Sequence, residues 1–209
     1  DPVEWDEDGW FHARGGDLSK PLPLPVPRTP GTPLPAHGMA LSDDFSHDKF
    51  GVQWSFYAPA PGEAERFQRR DGVLHLKAKG QSPRDCSPLT FIQGDQAYRI
   101  ECDIEIDPGC TAGLVVFYDH ALYAGLGFDQ ERFVTHQFGL ERGRPANPHG
   151  RRMKLRLTND RHIITFHHST DGETWTQFDR QMEVSGYHHN VRGGFMMLRP
   201  GLYAAGTGE

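Results

Sequence analysis

The chain holds no run of about 18 apolar residues, so it offers no transmembrane helix. Cysteine is scarce. Cys86, Cys102 and Cys110 form an odd set with irregular spacing and no Cys-x-x-Cys knuckle. That excludes a disulfide framework and a zinc site of the knuckle type. Free thiols lean toward a cytoplasmic or a secreted bacterial setting. Basic charge is also short, because 22 Lys and Arg face 28 Asp and Glu for a formal net charge of −6. This argues against nucleic acid or an anionic membrane as the main partner. There is no Gly-x-Ser-x-Gly elbow, no phosphate loop and no His-x-x-x-His pair, which removes the commonest hydrolase, nucleotide and zinc-helix signatures. No segment combines helical periodicity with caps.

Proline, by contrast, is concentrated. Residues 21–40, "PLPLPVPRTPGTPLPAHGMA", favour extended polyproline II and forbid helix. They are expected to form a semi-rigid linker. Residues 1–20 are acidic and aromatic, with Trp5, Trp10 and Phe11 too large for so short a segment to bury. The chain opens "DPVEW" with neither Met nor a leader pattern, and is expected to be a piece of a longer protein. Its 209 residues suffice for one sizeable domain plus a tail.

From Leu41 onward the signal is β. In "YRIECDIEID", Tyr98, Ile100, Cys102, Ile104 and Ile106 alternate with Arg99, Glu101, Asp103 and Glu105. A period of two with one wet face marks an antiparallel sheet. Met153, Leu155 and Leu157 repeat the pattern, while "AGLVVFYDH" is apolar on both faces. Asn159-Asp160 is expected to form a tight hairpin turn, and Asp171-Gly172 another. The reading is an all-β, two-sheet antiparallel sandwich or jelly roll over residues 41–209.

The chemistry-bearing residues leave several readings open. His167-His168 and His188-His189 cannot chelate as strand pairs, because strand neighbours point to opposite faces. Asp43 and Asp44 are candidates for a structural calcium through oxygen donors, or equally for capping a turn. Gly125 and Gly127 beside Tyr123 form a lane for a ligand or for close packing. Trp54, Tyr57, Tyr118, Tyr123, Trp175, Tyr187 and Tyr203 are of the type on which sugars stack, although Trp54 and Trp175 suit a core equally. No pair of carboxylates stands out as a glycosidase acid and base. "SGYHHNVRGGFMMLRP" is expected to be a polar loop, Tyr187 to Arg192, feeding a buried strand "GGFMMLR".

"LSDDFS", "VQWSFYAP", "GVLHLKAKG", "AGLVVFYDHALYAGLGFD", "HIITFHHSTDGETW" and "SGYHHNVRGGFMMLRPGLYAAG" together resemble one module. It is the C-terminal concanavalin A-like sandwich of glycoside hydrolase family 43 β-xylosidases and arabinofuranosidases, in part classed as carbohydrate-binding module family 91. The resemblance implies a concanavalin A-like jelly roll at 41–209, an N-terminal strap, and residues 1–20 as the tail of an upstream catalytic propeller. It implies that the catalytic carboxylates lie upstream, so that the chain is no enzyme alone and needs no cofactor. It implies that Tyr187, His188, His189, Asn190 and Arg192 close the propeller's pocket, with Tyr118 and Tyr123 as further sugar-contacting candidates. Relatives often carry an aromatic where Arg192 stands. The implied partners are the propeller and xylan or xylo-oligosaccharide. The alternatives are an autonomous xylan-binding module acting by targeting, and a self-contained enzyme.

Overall fold

The structure is a computed structural model that describes residues 3–13, 41–47, 49–58, 60–194 and 196–209. The chain divides into two compact units, 1–38 and 39–209. In the first, β1 (Val3–Trp5) pairs antiparallel with β2 (Phe11–Ala13). The Asp6 carboxylate closes the turn by accepting from the Asp8 and Trp10 amides. Trp5 and Phe11 meet edge to face at 5.6 Å, and both remain exposed. The proline-dense stretch 21–40 lies outside the described residues.

The second unit is a sandwich. Its larger sheet has seven strands in the order β11-β10-β9-β8-β15-β6-β3. These are β3 (Trp54–Phe56), β6 (Leu89–Phe91), β8 (Cys110–Asp119), β9 (Leu122–Phe128), β10 (Phe133–Gln137), β11 (Leu140–Gly143) and β15 (Arg199–Gly206). The opposing sheet has four strands, β14-β13-β12-β7, formed by Thr176–Glu183, Ile163–Ser169, Arg152–Asp160 and Ala97–Glu105. A small ribbon pairs β4 (Phe67–Arg70) with β5 (Val73–Leu76). All the pairings are antiparallel.

Alternation explains the layers. On β7 and β12 the apolar residues Ile100, Cys102, Ile104, Met153, Leu155 and Leu157 face the core against Leu114, Val116, Leu126 and Phe128. Their polar alternates form an outer charge ladder, with Arg156 on Glu101 at 2.9 Å and Lys154 on Asp103 at 2.7 Å. Arg156 also lies 3.8 Å over the Trp175 ring, so that tryptophan is already occupied by a cation. Burial of β8 and β9 on both faces follows from a second cluster on the far side of the large sheet, made of Cys86, Val115, Phe117, Tyr123, Tyr203 and Ala205.

The glycine lane belongs to that second cluster. A Cβ on Gly127 would sit 2.0 Å from the Tyr203 hydroxyl, and one on Gly113 would sit 2.3 Å from the Leu126 carbonyl oxygen. The lane is therefore filled by Tyr203 and by neighbouring backbone, which is the close-packing alternative. Beside it lies His136, with its ring 5.6 Å from Tyr123 and 6.0 Å from Tyr203. Its Nδ1 and the Tyr203 hydroxyl find no partner among the described residues.

Two local expectations need correction. The β12–β13 turn is Arg161-His162, both with positive φ (46° and 82°), as a two-residue hairpin of primed type requires. Asn159 and Asp160 instead stay in register with Ile164 and Ile163. The Asn159 side chain holds the turn by accepting from the His162 amide. Among the described residues of "GGFMMLR", those before Arg199 do not form the expected buried strand, and Phe195 lies outside the described residues. The strand starts at Arg199, and Met196 and Met197 are exposed. Gly193 and Gly194, with φ of 76° and 71°, keep the backbone out of the β region just before it.

Two tests follow from this packing. Gly113→Ala should cost roughly 3 kcal/mol, because backbone rather than a movable side chain blocks the new methyl. That corresponds to a fall of about 10 °C in a thermal melt. His136 supplies a pH test. Burial pushes its pKa down from 6.5 to about 4. The unfolded chain then takes up the proton first as pH falls. The stability is whole above 6.5 and is lost progressively from 6.5 down to about 4, by roughly 3 kcal/mol for this group. His136→Phe should flatten that part of a stability-against-pH curve measured in urea.

Candidate functional site

One end of the sandwich gathers the polar loop. Three turns converge there. They are Asp119–Ala121 between β8 and β9, Phe138-Gly139 between β10 and β11, and residues 184–194 after β14. The first two touch directly, since a Cβ on Gly139 would meet the Ala121 carbonyl at 2.2 Å.

Residues 184–193 are ordered by local hydrogen bonds. The Ser185 amide donates to Glu183 Oε1 at 2.6 Å, and the Tyr187 amide to the Val184 carbonyl at 3.0 Å. His188 is extended (φ −151°, ψ 174°), and its Nδ1 accepts from the Asn190 amide at 3.2 Å, so an imidazole serves as the N-cap of a one-turn helix α1 (His189–Arg192). The Gly193 amide closes the turn on the His189 carbonyl at 2.7 Å. The expected polar loop thus contains a capped helical turn. The His188 and His189 rings lie 5.9 Å apart at its start. Strand geometry therefore does not govern this pair as the sequence reading assumed.

Side chains pin this turn to the strand ends. The Tyr118 hydroxyl donates to the Gly193 carbonyl at 2.6 Å. The Tyr187 hydroxyl accepts from the Phe138 amide at 2.7 Å, with the two rings 5.4 Å apart. Arg192 Nε donates to Asp119 Oδ2 at 3.3 Å, and Asp119 Oδ1 accepts from the Ala121 amide at 2.8 Å. A register shift between Phe117 and Asp119 marks a β-bulge where Tyr118 and Asp119 turn toward their partners. Tyr57 stands edge-on to Phe117 at 4.6 Å. Burial raises its hydroxyl pKa, with Asp119 adding to the rise and Arg192 opposing it.

The structure divides the candidate residues. His189, Asn190 and Arg192 face solvent, and His188 is half-buried. Tyr118, Tyr123 and Tyr187 are 1%, 1% and 2% exposed and offer no ring face to a sugar. Tyr118 and Tyr187 instead tie core to loop, because a buried phenol needs a polar partner for its hydroxyl. Tyr123 belongs elsewhere, stacked on Phe117 at 5.5 Å in the outer cluster. Asp119 carried no assigned role in the sequence, and Tyr57, a candidate for stacking on a sugar, is half-buried with its ring edge-on to Phe117. The Asp119–Arg192 contact joins positions 73 apart, so no local spacing announces it.

The calcium candidates resolve as turn groups. Asp43 accepts from the Phe45 amide and from Trp54 Nε1, and Asp44 from the Ser46 amide and hydroxyl. Among the described residues no three His, Cys, Asp or Glu side chains gather as a metal site. At the opposite end of the sandwich His149 Nε2 and His168 Nδ1 are hydrogen-bonded at 3.0 Å, with the His168 ring packed on Phe133.

A seven-stranded sheet over a four-stranded one, closed at one end by a clamped loop, defines a concanavalin A-like β-sandwich. Residues 42–209 match the family described as the beta xylosidase C-terminal concanavalin A-like domain, and the chain belongs to that family. That domain is distinct from the catalytic core of the glycoside hydrolase family 43 enzymes that carry it. Solved structures agree in fold. The family 43 protein BlXynB from Bacillus licheniformis superposes with a TM-score of 0.72 at 22% identity, over 100% of this chain and 43% of that one. A xylan beta-1,4-xylosidase from Bacillus halodurans gives 0.69 at 20% identity, over 97% of this chain and 42% of that one. The Bacteroides ovatus xyloglucan PUL protein GH43B gives 0.69 at 20%, over 100% and 43%. This chain therefore spans less than half of the length of these relatives. No curated protein matches it.

The clamp can be tested alone. Tyr118→Phe removes the hydroxyl that holds the Gly193 carbonyl, at a cost of about 1 kcal/mol. Hydrogen exchange at the Gly193 amide should speed up, while the β12 amides keep their protection.

Proposed function

We propose that this sandwich is the accessory C-terminal part of a xylan-degrading glycosidase, and that its loop Tyr187–Arg192 lines the pocket of an upstream catalytic domain. In this reading, residues 1–20 are the tail of that domain and 21–40 the connector. The supporting observation is the loop itself. Three solvent-facing polar side chains, His189, Asn190 and Arg192, sit on a helical turn that two buried tyrosines hold in place. A rigid presentation of donors is what a sugar pocket requires, because ordering a free loop would consume binding energy.

Around the loop lie exposed Phe138, Leu140, Val191, Met196 and Met197. Apolar side chains left exposed beside one loop are suited to a protein contact. The partner that fits is the remainder of a longer polypeptide, since the matched family is a C-terminal domain and its relatives are more than twice as long.

Targeting by autonomous xylan binding has less support. It calls for an exposed Trp or Tyr platform, and Phe138 is the one exposed Phe, Tyr or Trp among the described residues of 39–209. Trp54 and Trp175 are half-buried and engaged by Asp43 and Arg156. Unit 39–209 alone should neither hydrolyse nitrophenyl β-xyloside nor be retained on insoluble xylan. In the full-length protein, His189→Ala or Arg192→Ala should lower kcat/KM by about tenfold or more, as loss of a charged hydrogen bond would, without moving the melting temperature. Retention of unit 39–209 on xylan would favour targeting instead. A lowered melting temperature with unchanged turnover would make the loop a packing element.

A further inference from the structure

We propose that Asp119 is a positioning and specificity-determining residue, which sets Arg192 to donate to uncharged sugar hydroxyls and to reject acidic sugars. The inference rests on the loop reading above and adds to it the chemistry of the group the loop meets.

Arg192 has five N–H donors in a planar fork. One of them, on Nε, is taken by Asp119 Oδ2. The four on Nη1 and Nη2 meet no partner among the described residues, and the side chain is 40% exposed. A guanidinium without a counter-ion would prefer a carboxylate, its bidentate match. Here the counter-ion is already supplied by the same chain. Asp119 is only 17% exposed, and its other oxygen is held by the Ala121 amide, so the carboxylate cannot swing away to free the charge. The bulge between Phe117 and Asp119 fixes the direction from which it approaches.

The far side of Arg192 is held as well. Gly193 follows it directly, and its carbonyl is the one that Tyr118 grips. Adjacent residues on one strand end thus hold adjacent residues on the loop, by an ion pair and by a neutral hydrogen bond. The product is a fork whose charge is balanced and whose position is set. It suits the hydroxyls of a neutral pentose better than a uronic acid side group, which would meet the Asp119 carboxylate as a like charge.

The test uses the full-length protein with nitrophenyl β-xyloside as substrate and glucuronate as the acidic probe. Arg192→Ala should lower kcat/KM by about tenfold. Asp119→Asn keeps an oxygen for the Ala121 amide, so the turn should survive, as a thermal melt will show. It should lower kcat/KM about threefold to tenfold, chiefly through KM. It should also make glucuronate a competitive inhibitor that added salt relieves. Asp119→Glu keeps the charge and should keep glucuronate out. The Asp119→Asn/Arg192→Ala double variant should be no worse than Arg192→Ala alone, because both substitutions act through one group.

If Arg192→Ala leaves kcat/KM untouched, the loop reading itself fails. If Arg192→Ala is impaired but Asp119→Asn matches the wild type in KM and in indifference to glucuronate, the loop reading stands and the role given to Asp119 is overturned. Additive losses in the double variant, or glucuronate inhibition of Asp119→Glu, would overturn it too. Should Asp119→Asn fail to fold, the glucuronate response of Asp119→Glu still decides the charge argument.

Discussion

Strand β8 is buried on both of its faces, and that constraint organises the rest of the molecule. Its inward residues Leu114 and Val116 meet the four-stranded sheet, and its outward residues Val115 and Phe117 meet a second cluster. A strand so enclosed has no freedom to slide, because a one-residue slip would exchange its two faces. The glycines at 113 and 127 allow backbone and the Tyr203 ring to close over it at distances no other residue would permit. Fixed in this way, β8 delivers its last two residues, Tyr118 and Asp119, to a defined place at the end of the sandwich.

The loop inherits its order from that delivery. Its own turn is only four residues long, too short to persist without tertiary support. A histidine cap, two glycines of positive φ and three side-chain anchors replace the missing length. The anchors tie the loop to two neighbouring turns, one at the end of β8 and one at Phe138.

Most of the framework could be read from sequence because alternation is a local property. Every second residue from Tyr98 to Ile106 predicts its own side of the sheet, and the structure places them so. The hairpin was legible in kind but displaced by two residues, since Asn159 and Asp160 suit a turn chemically yet were drawn into the ladder by the pairing of β12 with β13. The site was legible only in part. His189, Asn190 and Arg192 cluster in sequence, and they stand together on one solvent-facing turn. Tyr118, Tyr123 and Tyr187 were misjudged because a tyrosine on a sugar and a tyrosine in a core look alike until burial is known. The Asp119–Arg192 pair joins the end of one strand to a distant loop, and no periodicity carries that information. Its discovery required the fold.

The bulge between Phe117 and Asp119 has a wider consequence. It acts as a phase shift of one residue in an otherwise strict alternation. Before it, every side chain on β8 answers to one of two packed layers, and a change there must be accommodated by the interior. After it, Asp119 answers to the turn and to Arg192 rather than to either layer. The tip is thereby set apart from the two packed layers, so its charge can be retuned without asking the sandwich to repack. Tyr118, sitting at the shift itself, has no such freedom: its ring serves the interior while its hydroxyl serves the loop.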